Sequence, residues 1–252
     1  MIASSYIEFA PAPDLAEYVQ SLWFRRVSPA EAEHPARVVP DGCMDLIWAN
    51  GNVMVAGPDR QAWTGPLASG VEIVGMRFRP GMAPPVLGIP AMELVDLRTA
   101  LYDVSVSWAR DLNERVPSDA SSAAIGNVLQ ASLRSRVQRV AEVDRAAQYV
   151  AANIQRTDDE QQLRVSELAD AIGLSERQLL RRCQDAFGYG PKLLARIVRF
   201  QRFLALAARA DARPIAYLAA DSGFADQAHL SREVKELSGL TPSGLLAERA
   251  RR

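Results

Sequence analysis

Four side chains between positions 177 and 184 carry the donors and acceptors needed to read a base edge. Arg177, Gln178, Arg181 and Gln184 recur at helical spacing, and a helical projection sets them opposite Leu179, Cys183 and Phe187. Arginine matches the O6/N7 edge of guanine, and glutamine the N6/N7 edge of adenine, in a major groove. A second face of this kind follows further along: Gln227, Ala228, His229, Ser231, Arg232 and Lys235, backed by Leu230, Val234 and Leu237. An exposed polar face is usually plain solvated surface. Its meaning depends on what holds the helix.

Other chemistry has little to work with. Two histidines, His34 and His229, rule out a three-histidine metal site within one chain. Two cysteines, Cys43 and Cys183, form neither a zinc-finger spacing nor a disulfide framework. Cys43 beside Asp45 invites a nucleophile, but that chemistry needs a positioned base, and His34 is the single histidine in that half. A buried Cys43 is expected instead, with no cofactor, no metal and no enzymatic activity. An enzyme fused to a binding domain remains an alternative.

The 252 residues, 48% hydrophobic and 23% charged, suit two globular domains. Their charge divides unevenly. Residues 1–159 hold 14 Lys+Arg against 19 Asp+Glu, whereas residues 160–252 hold 15 against 11. A basic end on an acidic chain suits phosphate contact, although charge alone does not establish it. No apolar run approaches the roughly 20 residues that span a bilayer, so no membrane partner is expected. Met1-Ile2-Ala3-Ser4-Ser5 lacks the features of a secretory signal, and a cytoplasmic location is expected.

The elements that would position the two faces are legible as a repeat. Val165, Leu168, Ala169 and Ile172 form one apolar stripe, and Gly173 then breaks the helix. Ser175, with Gln178 three residues on, is a capping-box pattern that starts the next helix, which stops at Gly188. A short helix, a glycine-containing turn and a capped second helix make a helix-turn-helix. Gly173 recurs as Gly223 at an offset of 50; Ser175, Leu179, Arg181, Gly188 and Pro191 recur as Asp226, Leu230, Arg232, Gly239 and Pro242 at 51. The second turn therefore holds one extra residue. Ile215, Leu218 and Ala219 supply the stripe of its first helix. A middle helix over 192–208, with Leu193, Ile197, Phe200 and Leu204 inward, joins the copies, and a helix over 143–154 precedes them.

These stretches, with Phe187-Gly188-Tyr189-Gly190-Pro191 and Gly239-Leu240-Thr241-Pro242, resemble the AraC/XylS family of transcription regulators over roughly 142–248. The resemblance implies a seven-helix domain whose two units, about 34 Å apart, enter successive major-groove segments of double-stranded DNA. It places Arg177, Leu180 and Arg181 at base-contact positions of the first reading helix, and Gln227, Ala228, His229, Ser231 and Arg232 at those of the second. The family usually has phenylalanine where Cys183, Leu230 and Val234 stand, and an aromatic residue at Leu194 and Leu245. Phe200, Phe203 and Phe224 are expected to fill the lost volume. Ala228 cannot hydrogen-bond a base, so the second helix is expected to read less than the first. Arg196, Arg199 and Arg202 lie off the middle helix's core stripe, available either to phosphate or to internal ion pairs.

The first half reads as short strands and turns up to about Gly81, then as helices over 104–116 and 120–133. Residues 15–25 read as a short helix running into a strand, and 134–142 as an interdomain connection. The whole is an α+β, two-domain chain, with domains over 1–134 and 142–250. Pro40-Asp41-Gly42-Cys43-Met44-Asp45 and Val74–Gly81 resemble, more loosely, AraC-type sensor domains, which implies a small cupin-like barrel that binds an effector or dimerises. Trp23, Met44, Trp48, Trp63 and Arg77 are the expected effector pocket, with core packing, and an Arg77 pair to Asp45 or Asp41, as the competing reading. The partners to expect are then DNA, a small-molecule effector, a second copy through the helices between 104 and 133, and RNA polymerase if the protein activates. A constitutive DNA-binding protein with a structural first domain is the alternative.

Overall fold

The computed structural model describes residues 5–117, 119–140, 143–156, 164–209 and 213–250. A six-stranded sheet dominates the first half. Its strands are β1 (Ser5–Phe9), β2 (Val19–Arg26), β4 (Asp45–Ala49), β5 (Asn52–Ala56), β7 (Glu72–Phe78) and β8 (Arg98–Ala100). Their spatial order is β1-β2-β7-β4-β5-β8, with every neighbouring pair antiparallel. β3 (Ala36–Val38) and β6 (Trp63–Gly65) form a separate ribbon. The β-rich half is thus a sheet with β1 and β8 at its edges, plus a ribbon.

Alternation along β7 divides the sheet's two faces, because successive side chains of a strand point opposite ways. Val74, Met76 and Phe78 join Leu46, Trp48, Val53 and Val55 in the main core. Ile73 joins Trp23 and Val27 in a smaller cluster on the other side. Gly75 is required there: a Cβ at that position would lie 2.0 Å from the Trp23 ring. The helix expected within 15–25 is confined to a 3-10 turn, Pro13–Leu15, after which β2 begins. Val19, Leu22, Trp23 and Phe24 favour an extended chain, and β2 is paired on both sides.

Helices cover the main core. After α1 (Pro29–Ala32), α2 (Ala83–Leu87), α3 (Leu101–Val104) and α4 (Val106–Arg115) comes α5 (Ser122–Val137), whose Leu129 and Leu133 are fully buried. Buried Trp108 donates its indole N–H to Ser132 Oγ (2.9 Å), which donates to Asp111 (2.8 Å), tying α4 to α5. The expected connection over 134–142 starts too early. Residues 134–137 are the last turn of α5, where Arg134 pairs with Asp14 and Arg136 donates to Val86 O. Residues 141 and 142 lie outside the described ones.

Seven helices follow among the described residues: α6 (Arg145–Arg156), α7 (Val165–Asp170), α8 (Glu176–Phe187), α9 (Pro191–Arg209), α10 (Ile215–Asp221), α11 (Gln227–Ser238) and α12 (Pro242–Ala250). One core runs through all of them and contains Cys183, Leu194, Leu230, Val234 and Leu245 together with Phe200, Phe203 and Phe224. The aromatic rings expected to compensate for the small residues are therefore in place.

The two halves meet at the last turns of both capped helices. Ala62 N donates to Leu237 O (2.7 Å), and Arg37 reaches Ser238 O (2.7 Å) and Glu248 (3.2 Å). These donors satisfy carbonyls that the end of α11 would otherwise leave unpaired. At the end of α8, a Cβ on Gly188 would meet Val95 at 2.6 Å and Pro58 at 2.7 Å, so only glycine fits this contact, at φ 84°.

Candidate DNA interface

Each unit is built the same way up to its turn. Gly173 (φ 68°) and Gly223 (φ 83°) take the left-handed conformation that glycine adopts freely. The next residue's N–H returns to the preceding helix: Leu174 N to Ala169 O (3.0 Å), and Phe224 N to Ala219 O (2.9 Å). The copies diverge one residue later. Ser175 caps α8 at once, whereas Ala225 intervenes before Asp226 caps α11. The extra residue predicted for the second turn is Ala225.

The caps also use residues assigned to the reading faces. Ser175 Oγ accepts from Gln178 N (3.3 Å), and Gln178 Oε1 accepts from Ser175 N (2.9 Å), a complete capping box. Asp226 accepts from His229 N (2.6 Å), and His229 Nδ1 accepts from Ala225 N (3.4 Å). His229 thus stands where Gln178 stands and serves the same turn. Ser175 Oγ also lies 2.9 Å from Gln178 Oε1, so both lone pairs of that oxygen are engaged and bidentate contact with adenine would require giving up part of the cap. We expect Ser175→Ala and Asp226→Ala each to cost about 0.5–2 kcal/mol in urea unfolding, and Ser175→Gly only a few tenths.

The remaining faces are unequal. On α8, Leu179, Cys183 and Phe187 are buried, Arg177, Leu180 and Arg181 exposed, and Gln184 half-buried. Among the described residues neither Arg177 nor Arg181 has an ion-pair partner, whereas Arg182 is held by Asp144 at 2.9 Å. On α11, Gln227, Ala228 and Arg232 are exposed. Half-buried Ser231 donates its hydroxyl to Gln227 O (2.8 Å), and His229 meets the Phe224 ring edge-on at 5.4 Å. Among the described residues, no side-chain partner takes up Gln227 or Arg232 of the expected second set.

The middle-helix arginines serve the interior. Arg196 bridges Glu233 and Glu236, both at 2.7 Å. Arg199 is 5% exposed, with its guanidinium 4.6 Å from the Phe224 ring. Arg202 donates to Gln155 O (3.3 Å). These contacts tie α9 to α6 and to the second unit. The internal reading of these residues is the one the geometry favours.

The five residues expected to form an effector pocket do not converge. Trp23 and Arg77 share one face of the sheet; Met44 and Trp48 are buried in the main core on the other. Trp63 stands on the ribbon beneath Arg98, which is paired to Asp59 (2.6 Å). Arg77 binds Asp45 (3.2 Å), Asp41 (3.3 Å) and Glu8 (3.3 Å), and Trp23 Nε1 donates to Asp45 (3.1 Å). Burial raises the Asp45 carboxyl above its ordinary value, against the opposing pull of Arg77. Cys43 is buried, and desolvation pushes its thiol well up, the reverse of an activated nucleophile. Arg77 does line a cleft of about 260 Å³, but its neighbours there include Gln20 and Asp41 from the first half and Gln155 and Gln201 from α6 and α9. Nothing local in the sequence marks residues this far apart as one site.

Two families match parts of the chain: a domain of unknown function (DUF6597) over residues 7–100, and a helix-turn-helix domain over residues 168–248. A crystal structure of an apo point variant of ToxT from Vibrio cholerae is 13% identical and covers 91% of this chain and 97% of that one, with a TM-score of 0.50. At that identity the likeness concerns fold. A probable AraC family transcriptional regulator from Rhodopseudomonas palustris is 27% identical over 42% of this chain and 98% of its own, with a TM-score of 0.36. No curated protein matches. The C-terminal domain is a double helix-turn-helix. That part of the chain is by class a DNA-binding helix-turn-helix domain.

Proposed function

We propose that the protein binds a specific double-stranded DNA site through α8 and α11, with α8 carrying most of the base reading. One observation carries this reading. Two capped helices of one repeat each present exposed arginine without an ion-pair partner among the described residues, and one buried core holds them together. Arg177 and Arg181 take guanine edges, and exposed Leu180 packs on a thymine methyl. Gln227 and Arg232 supply the weaker second contact. Backbone amides at the starts of α8 and α11 meet phosphates and fix register.

The first half, which we place at residues 1–137, controls this activity by responding to a small molecule or by self-association, and the DNA-binding domain extends to about residue 250. A second copy of the chain, and RNA polymerase if the protein activates, are the further partners. The buried, unactivated Cys43 supports a non-enzymatic role. Selection of bound duplexes from a random pool tests the proposal. A recurring site with two base-specific blocks is expected; bound DNA without common sequence would overturn specific recognition. No helix among the described residues is long and apolar enough to cross a membrane.

A further inference from the structure

The cleft between the two halves has walls from both. Gln20, Asp41, Arg77 and Pro80 face Ala151, Gln155, Leu194, Val198 and Gln201 across about 260 Å³. That is just under the range of about 300–1,000 Å³ usual for drug-sized ligands, so it suits a small metabolite. Arg77 is the sole cation among the described residues of the lining, and three carboxylates already engage it: Asp45, Asp41 and Glu8. An acidic ligand would have to displace one of them and face the other two. A cation meets the opposite situation, one guanidinium against three carboxylates.

Asp41 and the Gln201 oxygen are acceptors of the lining, beside the amides of Gln155 and of Gln20, whose oxygen already takes the Cys43 thiol (3.5 Å). Of the three acids, Asp41 is the one that lines the cleft. Gln201 donates one amide N–H to Pro40 O (2.5 Å), which leaves its oxygen and its second N–H. Pro80, Ala151, Leu194 and Val198 supply an apolar floor. Beside Gly42, between the same two halves, the Tyr189 hydroxyl is buried with no hydrogen-bond partner among the described residues.

We propose that this cleft binds a small ammonium-bearing metabolite, its charge against Asp41 and its carbon chain on Leu194 and Val198. The proposal rests on the effector-controlled reading above and moves the site from the sheet to the seam between the halves. A ligand there touches α6 and α9 as well as the sensor half, so occupancy tightens the contact that also grips the last turns of α8 and α11. The same contact sets how the two reading helices stand on DNA.

The test titrates the full chain with putrescine, agmatine and butylammonium, and with octanoate as the anionic control, by calorimetry and thermal shift. Asp41→Asn keeps the acceptor that Cys43 N–H uses (2.9 Å) and removes the charge; Ala151→Met narrows the cleft from α6. At least one ammonium compound is expected to bind saturably and raise Tm. Its affinity should fall about tenfold or more in Asp41→Asn, the loss expected for a charge-assisted hydrogen bond, and vanish in Ala151→Met. The proposal fails if no ammonium probe binds, if binding survives both substitutions, or if octanoate binds and Ala151→Met abolishes it. Site-specific DNA binding, measured on the same preparations, keeps the readings apart. It persists if only the ligand proposal fails, and is absent if the DNA reading itself is wrong.

Discussion

Replacing Arg181 with alanine is expected to weaken binding to the selected site by about 1–3 kcal/mol, roughly 5- to 150-fold, and to flatten preference at one base pair. The reason lies in what Arg181 does not do in the free protein. It is exposed, lies on the second turn of α8 after the Ser175 cap, and has no ion-pair partner among the described residues, so no internal contact must break before it meets a base. Arg182 is the internal comparison. Its guanidinium is committed to Asp144, and Arg182→Ala should leave base preference unchanged. Titrations against the site and its single-base variants, at one fixed salt concentration, separate the two roles. Equal weakening on every sequence would mean that Arg181 touches only phosphate.

Phe200→Ala should cost about 3–5 kcal/mol in urea unfolding, the range for removing a large buried aromatic ring. Phe200 is fully buried in the middle of α9, in the core shared by both units. Three of the residues in that core, Cys183, Leu230 and Val234, are smaller than the ring removed. Little side-chain volume is therefore available to collapse into the gap. A loss below about 1 kcal/mol would show that the two units do not depend on one continuous core, and would undercut the fixed spacing of their reading helices.

The features legible in the sequence are those set by neighbours along the chain. Ser175 with Gln178, Gly173 and Gly223, Gly188 and Gly239, and the offset of 50 passing to 51 all report local backbone requirements, and each appears in the fold at the expected place. Even the extra residue was countable; only its position, at Ala225, needed the hydrogen bonds of the turn. The reading faces were legible as surfaces but not as sets of free atoms. That Gln178 and His229 have each lent an atom to a cap depends on rotamers, which spacing does not reveal. Contacts between distant segments were hidden altogether. Arg77 was read as a candidate anchor with Asp41 or Asp45 as competitors, but Glu8, 69 residues away, joins them. Trp23 and Trp48 looked alike in composition and point to opposite faces of one sheet, because register decides a strand residue's side. The end of α5 is hidden for a related reason: basic residues 134 and 136 suggest a linker, whereas Asp14 and Val86 O hold them as the final helical turn.

Base-contact footprinting on the selected site tests most directly whether two unequal reading helices act from one chain. Methylation of guanine N7 should interfere at two clusters on one face of the duplex, about one helical turn (roughly 34–36 Å) apart, as expected for two linked reading helices. Arg181→Ala should remove interference at one guanine of the stronger cluster and leave the weaker one, assigned to α11, in place. A single cluster, or two clusters on opposite faces of the duplex, would contradict it.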